Sequence, residues 1–348
     1  MSVLPYLTSD LPGSGGVIRS TPEDFQVDEL PAYLPSGEAG EHLFLHLRKK
    51  GLSTPELAKR IARALEIDDR EVSWAGLKDR HAVTTQWLSV PAKAEPKLAA
   101  FNDPDVQLLE AKRHGNKLKN GHLKGNRFQL KIRNAANAEA ARTIFERLVR
   151  IGVPNYFGEQ RFGAAGDNAE LGKLLILGQR LPKKPDRFSR KMFLSAFQSK
   201  LFNQALQLRL QAGTLATAVK GDVLRKTDTG GMFVCEDPAV DQPRVDRGEV
   251  SPAGPIFGPK MTKSAGEVAE LEQRLLSEAG VTIEDFKRGK DETEGSRRVY
   301  RVLLAEPSIE IAGDVISLAF TLPKGSYATV VLRELMKSEV AAPEGEEE

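Results

Sequence analysis

Alternation of apolar and polar residues predicts the strands of this chain. In residues 127–133, Phe128, Leu130 and Ile132 fall on one face, while the basic residues between them fall on the other. A second clear alternation at 315–322 puts four apolar side chains on one face. Weaker patterns predict further strands at 42–47, 86–90, 106–111 and 299–304.

Apolar residues at helical spacing predict a first helix that begins at Thr54 and ends near Ile67. Thr54 fits an N-cap, and Pro55 fits the first helical position, where its missing N–H costs nothing. Further helices are predicted at 137–151, 171–177, 193–210 and 266–279. A hairpin turn is predicted at 228–231, and Pro and Gly crowd the stretch 252–259.

The order of these elements predicts an α+β protein of two folding units, since 348 residues exceed the usual size of one domain. Strands up to residue 157 and again from 297 to 340 would form one discontinuous domain. The helix-rich stretch 158–296 would be an insertion in it. The last residues, 341–348, are dominated by Glu and are predicted to be a disordered acidic tail.

Charge is unevenly distributed although the formal net charge is only +2. The stretch 112–133 contains eight Lys or Arg residues and no acid, which is the pattern of a phosphate-binding surface. A second acid-poor cluster spans 180–191 and contains only Asp186 as an acid. Solvated loops are the ordinary alternative, but two clusters favour nucleic acid. The residues predicted to bind RNA are Lys112, Arg113, Lys117, Lys119 and Lys124.

Motifs for cofactors and metals are not found. The single cysteine, Cys235, excludes an internal disulfide and is expected to be a passive buried thiol. The histidines lack the HExxH spacing, and no glycine-rich stretch matches a nucleotide-binding turn. We therefore expect no cofactor and no metal. The N-terminal residues and the lack of a long apolar run predict a soluble cytoplasmic protein. The sequence has no heptad pattern of a coiled coil, so a monomer is expected.

Asp79 lies between Lys78 and Arg80, just before a predicted strand. Such a carboxylate could form an ordinary surface salt bridge of little energetic value. If the turn lies in a cleft, nearby cations would favour the ionised form, and an ionised carboxylate can act as a nucleophile. The residues alone leave both interpretations open.

Five segments resemble, in chain order, motifs of the TruD family of tRNA pseudouridine synthases. The longest, WAGLKDRHAVTTQ at 74–86, matches the motif that carries the family's catalytic aspartate. The others are PEDFQV at 22–27, LKGNRF at 123–128, VPNYFGEQRFG at 153–163 and LPKGSYAT at 322–329. Together they extend over almost the whole chain.

This resemblance implies an isomerase that converts uridine to pseudouridine in tRNA, at position 13 in bacterial members, without a cofactor. It implies a mixed-sheet catalytic domain, a family-specific insertion domain and an RNA-binding cleft between them. Asp79 would attack the uracil ring or the ribose, or help to remove a ribose proton.

The uridine pocket would include Arg19, Asn126, Phe128 and Tyr327. Arg19 stands where the family is expected to have lysine, and Tyr327 where phenylalanine is usual. Phe128 could equally be a core residue, and Asn126 could belong to a turn. Two alternatives remain for the whole chain. One is a non-catalytic RNA-binding protein or RNA chaperone. The other is an RNA methyltransferase, which the lack of a glycine-rich nucleotide turn disfavours.

Overall fold

The structure is a computed structural model that describes residues 4–163, 165–181 and 183–338. It divides into two compact units. The large-sheet unit contains Pro12–Phe145, Leu304–Ala328 and the residues from Leu335, and the small-sheet unit contains Glu146–Leu303, Thr329–Glu334 and the N-terminal residues up to Leu11. The domain limits predicted at 157 and 297 stay a prediction. The predicted acidic tail at 341–348 lies outside the described residues.

The strands and helices are numbered in chain order. The strands are β1 Val17–Ile18, β2 Phe25–Pro31, β3 His42–Lys50, β4 Ser73–Trp74, β5 Val83–Pro91, β6 Val106–His114, β7 Leu123–Arg133, β8 Val153–Pro154, β9 Val223–Lys226, β10 Met232–Val234, β11 Val250–Ile256, β12 Ser296–Val299, β13 Arg301–Val302, β14 Ala305–Ala312 and β15 Val315–Pro323. The helices are α1 Thr54–Leu65, α2 Ala138–Ile151, α3 Asn168–Ile176, α4 Arg187–Gln211, α5 Pro238–Asp246, α6 Gly266–Glu278 and α7 Ala328–Met336.

The large sheet is mixed, as the sequence predicted. Its strands run in the order β14-β15-β7-β2-β5-β3-β6, with β1 beside β7 and β4 beside β5. The pairing of β2 with β5 is parallel, whereas the other pairings in this sheet are antiparallel. The prediction of an α+β fold with a mixed sheet is confirmed.

The predicted alternation in β7 is confirmed by burial. Phe128, Leu130 and Ile132 are buried, while Arg127 and Lys131 on the opposite face are exposed. Strand β15 pairs with β7 along its length and buries the apolar face predicted for it. These two strands therefore form a rigid base for any site that includes Asn126 or Phe128.

Helix α1 covers β3 and β5 through the apolar residues that its spacing predicted. Leu57, Ile61 and Leu65 are buried in one cluster with side chains of both strands. The predicted N-cap was wrong by one residue, because Ser53 accepts the backbone N–H of Glu56. The side chain of Thr54 is instead buried and has a role in the site described below.

The small-sheet unit contains a four-stranded sheet in the order β10-β9-β11-β12 and the separate pair β8 and β13. The hairpin predicted at 228–231 is confirmed, since it joins β9 to β10. The apolar core of this unit packs around α4. The predicted strand at 299–304 is divided between β12 and β13, which pair with different strands.

Strand β11 enters the stretch crowded with Pro and Gly, and it is an inner strand of the small sheet. A proline loses only its own N–H, so the carbonyl of Pro252 still accepts the backbone N–H of Tyr300 at 2.9 Å. Gly254 provides room for the Tyr300 ring, which a Cβ at that position would approach to 2.2 Å. Pro and Gly are therefore compatible with close packing in this strand.

Gly125 in β7 provides a test of how closely β7 and β15 pack. A Cβ at this position would lie 2.2 Å from the carbonyl oxygen of Leu322, a backbone atom that cannot move away easily. We expect Gly125→Ala to lower the free energy of unfolding by about 1–3 kcal/mol, as overpacking does. Urea denaturation followed by circular dichroism measures this change.

Gly115→Ala is the matched control, because a Cβ at Gly115 meets no atom within 4 Å. Its free energy of unfolding should stay within about 0.5 kcal/mol of the parent value, as for most surface substitutions. Equal effects of the two substitutions would contradict the close packing of β7 against β15.

Candidate active site

Five polar residues interrupt the otherwise apolar buried face of the large sheet. Cross-strand partners share a face, and the register places Glu29 opposite Asn126 and Lys49 opposite Thr84. Gln86 follows two residues after Thr84 and so lies on the same face. Thr84, Gln86 and Lys49 are fully buried, and Glu29 is nearly so. We call this set the polar stripe.

The loop that carries Asp79 is attached to the polar stripe by a buried ion pair. Lys78 Nζ lies 2.6 Å from Glu29 Oε2, and the two side chains are 4% and 0% exposed. The other carboxylate oxygen of Glu29 accepts the backbone N–H of Trp87 at 3.2 Å. Lys78 therefore points into the sheet and not toward the carboxylate of its neighbour Asp79.

Lys49 binds the main chain of the same loop. Its ammonium group donates to the carbonyl oxygens of Leu52 and, at 2.8 Å, Asp79, with Lys78 O at 3.5 Å. No carboxylate forms an ion pair with it among the described residues. Burial lowers the pKa of Lys49 from 10.5 to about 8, and the charge of Asp79 partly opposes that shift.

Thr54 joins the loop to the beginning of α1. Its hydroxyl accepts the backbone N–H of Lys78 at 2.9 Å and donates to Gln86 Oε1 at 2.9 Å. The loop is thus bound by three side chains that belong to β2, β3 and α1. Such support on rigid elements can hold a carboxylate in one position.

Asp79 forms an ion pair with a residue distant in the sequence. Arg19 Nη2 lies 2.8 Å from Asp79 Oδ2, and the two side chains are 10% and 12% exposed. The cations adjacent in sequence do not make this contact, since Lys78 binds Glu29 and Arg80 binds the half-exposed Glu56. Among the described residues, neither flanking cation therefore forms an ion pair with Asp79.

A series of aromatic side chains in contact extends from this ion pair into the core. The Arg19 guanidinium lies 4.1 Å above the Phe25 ring, and Phe25 meets Phe128 edge to face at 6.5 Å between centroids. Phe128 also packs on Phe320 at 5.6 Å and is only 7% exposed. Phe128 is thus mostly a core residue with a small accessible edge.

The buried face of β7 opens toward one end of the strand. Exposure increases along one face from Ile132 through Phe128 to the half-buried Asn126. The exposed Lys124 follows where the register between β2 and β7 shifts. Tyr327 is half-buried in the segment between β15 and α7, and its place in a uridine pocket stays a prediction.

Buried polar atoms without a hydrogen-bond partner are concentrated here. Among the described residues ten such atoms occur, and half belong to this site: Arg19 Nε, Asp79 Oδ1, Thr84 Oγ1, Gln86 Nε2 and Asn126 Oδ1. Native proteins pair nearly all buried polar groups, so each exception needs an explanation. A polar ligand that these atoms bind would provide one.

Half of the cations in the basic run 112–133, which extends from the end of β6 to the end of β7, already have acidic partners. Acids from elsewhere in the chain pair with four of its eight cations: Lys112 with Glu110, Arg113 with Glu95, Arg127 with Glu306 and Arg133 with Asp24. Lys117 donates to a backbone carbonyl at 3.3 Å. The other three, Lys119, Lys124 and Lys131, form no ion pair with any described residue and are exposed.

The remaining sequence expectations concern metals, the thiol and membranes. The described part of the chain contains no group of three or more His, Cys, Asp or Glu side chains that could hold a metal ion. Cys235 is fully buried, and burial raises the pKa of its thiol to about 11. None of the described helices is long and apolar enough to cross a membrane.

Comparison with known proteins shows what this chain resembles. The family model for tRNA pseudouridine synthase D (TruD) matches residues 3–182 and 183–335. A tRNA pseudouridine synthase D from Anaeromyxobacter dehalogenans is 50% identical over 99% of both chains. One from Thermus thermophilus is 44% identical over 96% of this chain and 92% of its own length.

A solved structure matches as well. The crystal structure of a Methanosarcina mazei protein, described as tRNA pseudouridine synthase D, superposes with a TM-score of 0.79 at 26% identity and covers 96% of each chain. These matches define the class of protein as a tRNA pseudouridine synthase, which is an isomerase. The chain belongs to the tRNA pseudouridine synthase D (TruD) family, as its motifs predicted.

The depressed pKa of Lys49 predicts a pH-dependent stability. The folded protein loses this proton near pH 8, whereas the unfolded chain keeps it up to its ordinary 10.5, so stability rises with pH between these values. The free energy of unfolding of the wild type, relative to that of Lys49→Met, should increase by about 2 kcal/mol between pH 7.5 and 9.5, at 1.36 kcal/mol per pKa unit.

Urea titrations of both proteins at the two pH values measure this difference. Other titrating groups, such as Cys235, are common to both proteins and cancel in the comparison. A difference in stability that does not change with pH would mean that Lys49 is not a buried cation.

Proposed function

We propose that this protein isomerises the uridine at position 13 of tRNA to pseudouridine, with Asp79 as the reacting group and without a cofactor. The reaction breaks the bond between N1 of uracil and C1′ of ribose and forms a bond between C5 and C1′. A proton leaves C5 and one is gained at N1, so substrate and product are isomers. No electron or phosphate is transferred.

The buried pair of Asp79 and Arg19 is the observation that carries this proposal. Arg19 Nη2 lies 2.8 Å from one carboxylate oxygen, while Asp79 Oδ1 is buried and has no hydrogen-bond partner among the described residues. An ionised carboxylate with one oxygen unpaired can attack carbon or accept a proton. The contacts of Lys49, Lys78 and Thr54 would hold it in place during either step.

The surroundings fit a uracil base taken out of its stack. Enzymes that act on a base commonly extrude the nucleotide into a pocket with apolar walls and hydrogen-bonding groups. The accessible edge of Phe128 would supply an apolar wall, with Tyr327 as a further aromatic side chain. Asn126 has a buried amide oxygen without a partner, which could accept a uracil N–H.

The basic surface would bind the phosphate backbone. Lys117, Lys119 and Lys124 have no carboxylate partner among the described residues, so phosphates can neutralise them directly. Lys112 and Arg113 would have to share or exchange their acidic partners. We therefore expect the three lysines to contribute more to tRNA affinity than Lys112 and Arg113 do.

Asp79→Asn separates a catalytic role from simple RNA binding. The amide preserves the shape and can still accept a hydrogen bond from Arg19, but it is not a nucleophile. We expect pseudouridine formation to fall at least about a thousandfold, as when other nucleophiles are removed. The affinity for tRNA should stay within about threefold, because no phosphate contact is changed.

The assay uses unmodified tRNA transcripts labelled with tritium at C5 of uridine, with no cofactor added. Tritium release reports turnover, and nucleotide-by-nucleotide mapping reports the position. Asp105→Asn, at an exposed carboxylate that pairs with Arg60, is the control and should retain activity. A transcript with cytidine at position 13 should release no tritium. Turnover by Asp79→Asn, or a binding loss equal to the activity loss, would contradict the proposal.

A second prediction concerns the three lysines proposed to bind phosphate. Changing Lys117, Lys119 and Lys124 to Gln should weaken tRNA binding and lower the slope of log affinity against log salt by about three, since each lost phosphate contact removes nearly one unit. Filter binding between 50 and 300 mM salt measures the slope.

The control removes the same charge elsewhere in the large-sheet unit. Lys59, Lys93 and Lys97 are exposed, and two of them already pair with Glu71 and Glu66. Their change to Gln should leave the slope nearly unaltered. Equal slopes for the two triple variants would mean that the basic run is only a solvated surface.

A further inference from the structure

One aromatic side chain of this protein lies in solvent. Of the 15 Phe, five Tyr and two Trp residues, all of which fall in the described ranges, Phe188 alone belongs to the exposed class, at 51%. It is the second residue of α4 in the small-sheet unit. Core packing does not account for a large apolar ring in this position.

Cations surround Phe188 in the sequence and are left unpaired by the fold. Between residues 180 and 191, six are basic and Asp186 is the one acid. The carboxylate of Asp186 caps α4, because it accepts the backbone N–H of Ser189 at 2.7 Å. Five of the six cations are exposed and form no ion pair with any described residue: Arg180, Lys183, Lys184, Arg187 and Lys191.

The beginning of α4 is nevertheless held in place. Arg190, the sixth cation, lies 3.2 Å from Glu292 and donates to the carbonyl of Arg288. This fixes the helix against the segment Ile283–Thr293. Residues three and four apart lie on one face of a helix, so Lys191 is beside both Arg187 and Phe188. The exposed ring thus lies next to like charges that form no ion pair with any residue that the structure describes in the small-sheet unit.

We infer that Phe188 and the cations around it form a second RNA-binding surface, in which an unpaired base of the tRNA stacks on the Phe188 ring. Lys184, Arg187 and Lys191 would bind the phosphates that flank this base. Proteins that bind single-stranded nucleic acid combine these same elements, an aromatic platform and a basic groove. The inference rests on the proposed action on tRNA and assigns part of that substrate to the small-sheet unit.

The composition of the surface favours RNA over a lipid membrane. A membrane-binding helix inserts a broad apolar face, whereas here one exposed ring stands among charges, and Met192 and Phe193 are half-buried. Charge complementarity requires an anionic partner of repeating charge, and stacking requires a planar group. An unpaired stretch of RNA supplies both.

The test measures tRNA binding by the full chain with Asp79→Asn in every variant, so that binding is separated from turnover. Phe188→Ala should raise the Kd at least about fivefold, as expected for loss of one stacked base, and leave the salt slope unchanged. Phe188→Trp should restore affinity. Val240→Ala, at an apolar residue of the same unit that is 64% exposed, should have no effect.

Charge removal gives an independent readout. Changing Lys184, Arg187 and Lys191 to Gln should weaken binding and reduce the salt slope, because phosphate contacts are lost. Changing Lys220, Lys226 and Lys263 to Gln removes the same charge at exposed positions of the same unit and should alter the slope less. Ultraviolet cross-linking followed by mass spectrometry should join Phe188 to a single nucleotide other than the reacting uridine.

The outcomes separate this inference from the proposed reaction. Normal tRNA affinity of Phe188→Ala, with wild-type turnover intact, would overturn the stacking surface alone. A wild-type protein that binds tRNA through Phe188 but forms no pseudouridine would support the surface and contradict the reaction. Binding to vesicles of anionic phospholipid that is lost in Phe188→Ala, without any loss for tRNA, would assign the surface to a membrane and overturn the inference.

Discussion

The buried ion pair between Lys78 and Glu29 is the interaction on which the candidate site depends. A charge pair removed from water is stable only when its geometry is good and its remaining hydrogen-bonding groups are satisfied, and Glu29 meets this through the backbone N–H of Trp87. Because Lys78 must reach Glu29 inside the sheet, the backbone at the next residue is fixed. Asp79 is therefore directed away from the sheet residues that bind Lys78 and toward Arg19.

Lys49 adds a different constraint, because its partners are carbonyl oxygens and not a carboxylate. A neutral side chain could fill the same space but could not bind the carbonyls of Leu52 and Asp79 together. The low pKa of Lys49 shows that burial makes this charge costly to keep. Such a cost is tolerated most readily where a loop must keep one conformation, which is the requirement of a reacting carboxylate.

The sequence predicted the fold better than it predicted the contacts of the site. Alternation located β7 and β15 because each buries one face, and the family motifs singled out Asp79. The family resemblance placed Arg19 in the pocket of Asp79, but the pattern of residues alone did not, since Arg19 follows β1, which pairs with β7 far from it in the sequence. One signal was available but unused: Lys49 and Glu29 continue the inward-facing alternations of β3 and β2, where a charge must find a buried partner.

The identity of residue 19 has physical consequences beyond its charge. The Arg19 guanidinium binds Asp79 and at the same time lies over the Phe25 ring at 4.1 Å from its centre, so one group forms an ion pair and a cation–π contact. A lysine in this position, as expected in the family, would supply the charge as a point and leave the ring less covered. Arg19 also holds a left-handed backbone with φ of 57°, which costs energy for a residue with a side chain. Both contacts of its guanidinium act against that cost, so the ion pair, the aromatic contact and the backbone turn form one unit. Replacing Arg19 by lysine would therefore change the position of the cation as well as its chemistry.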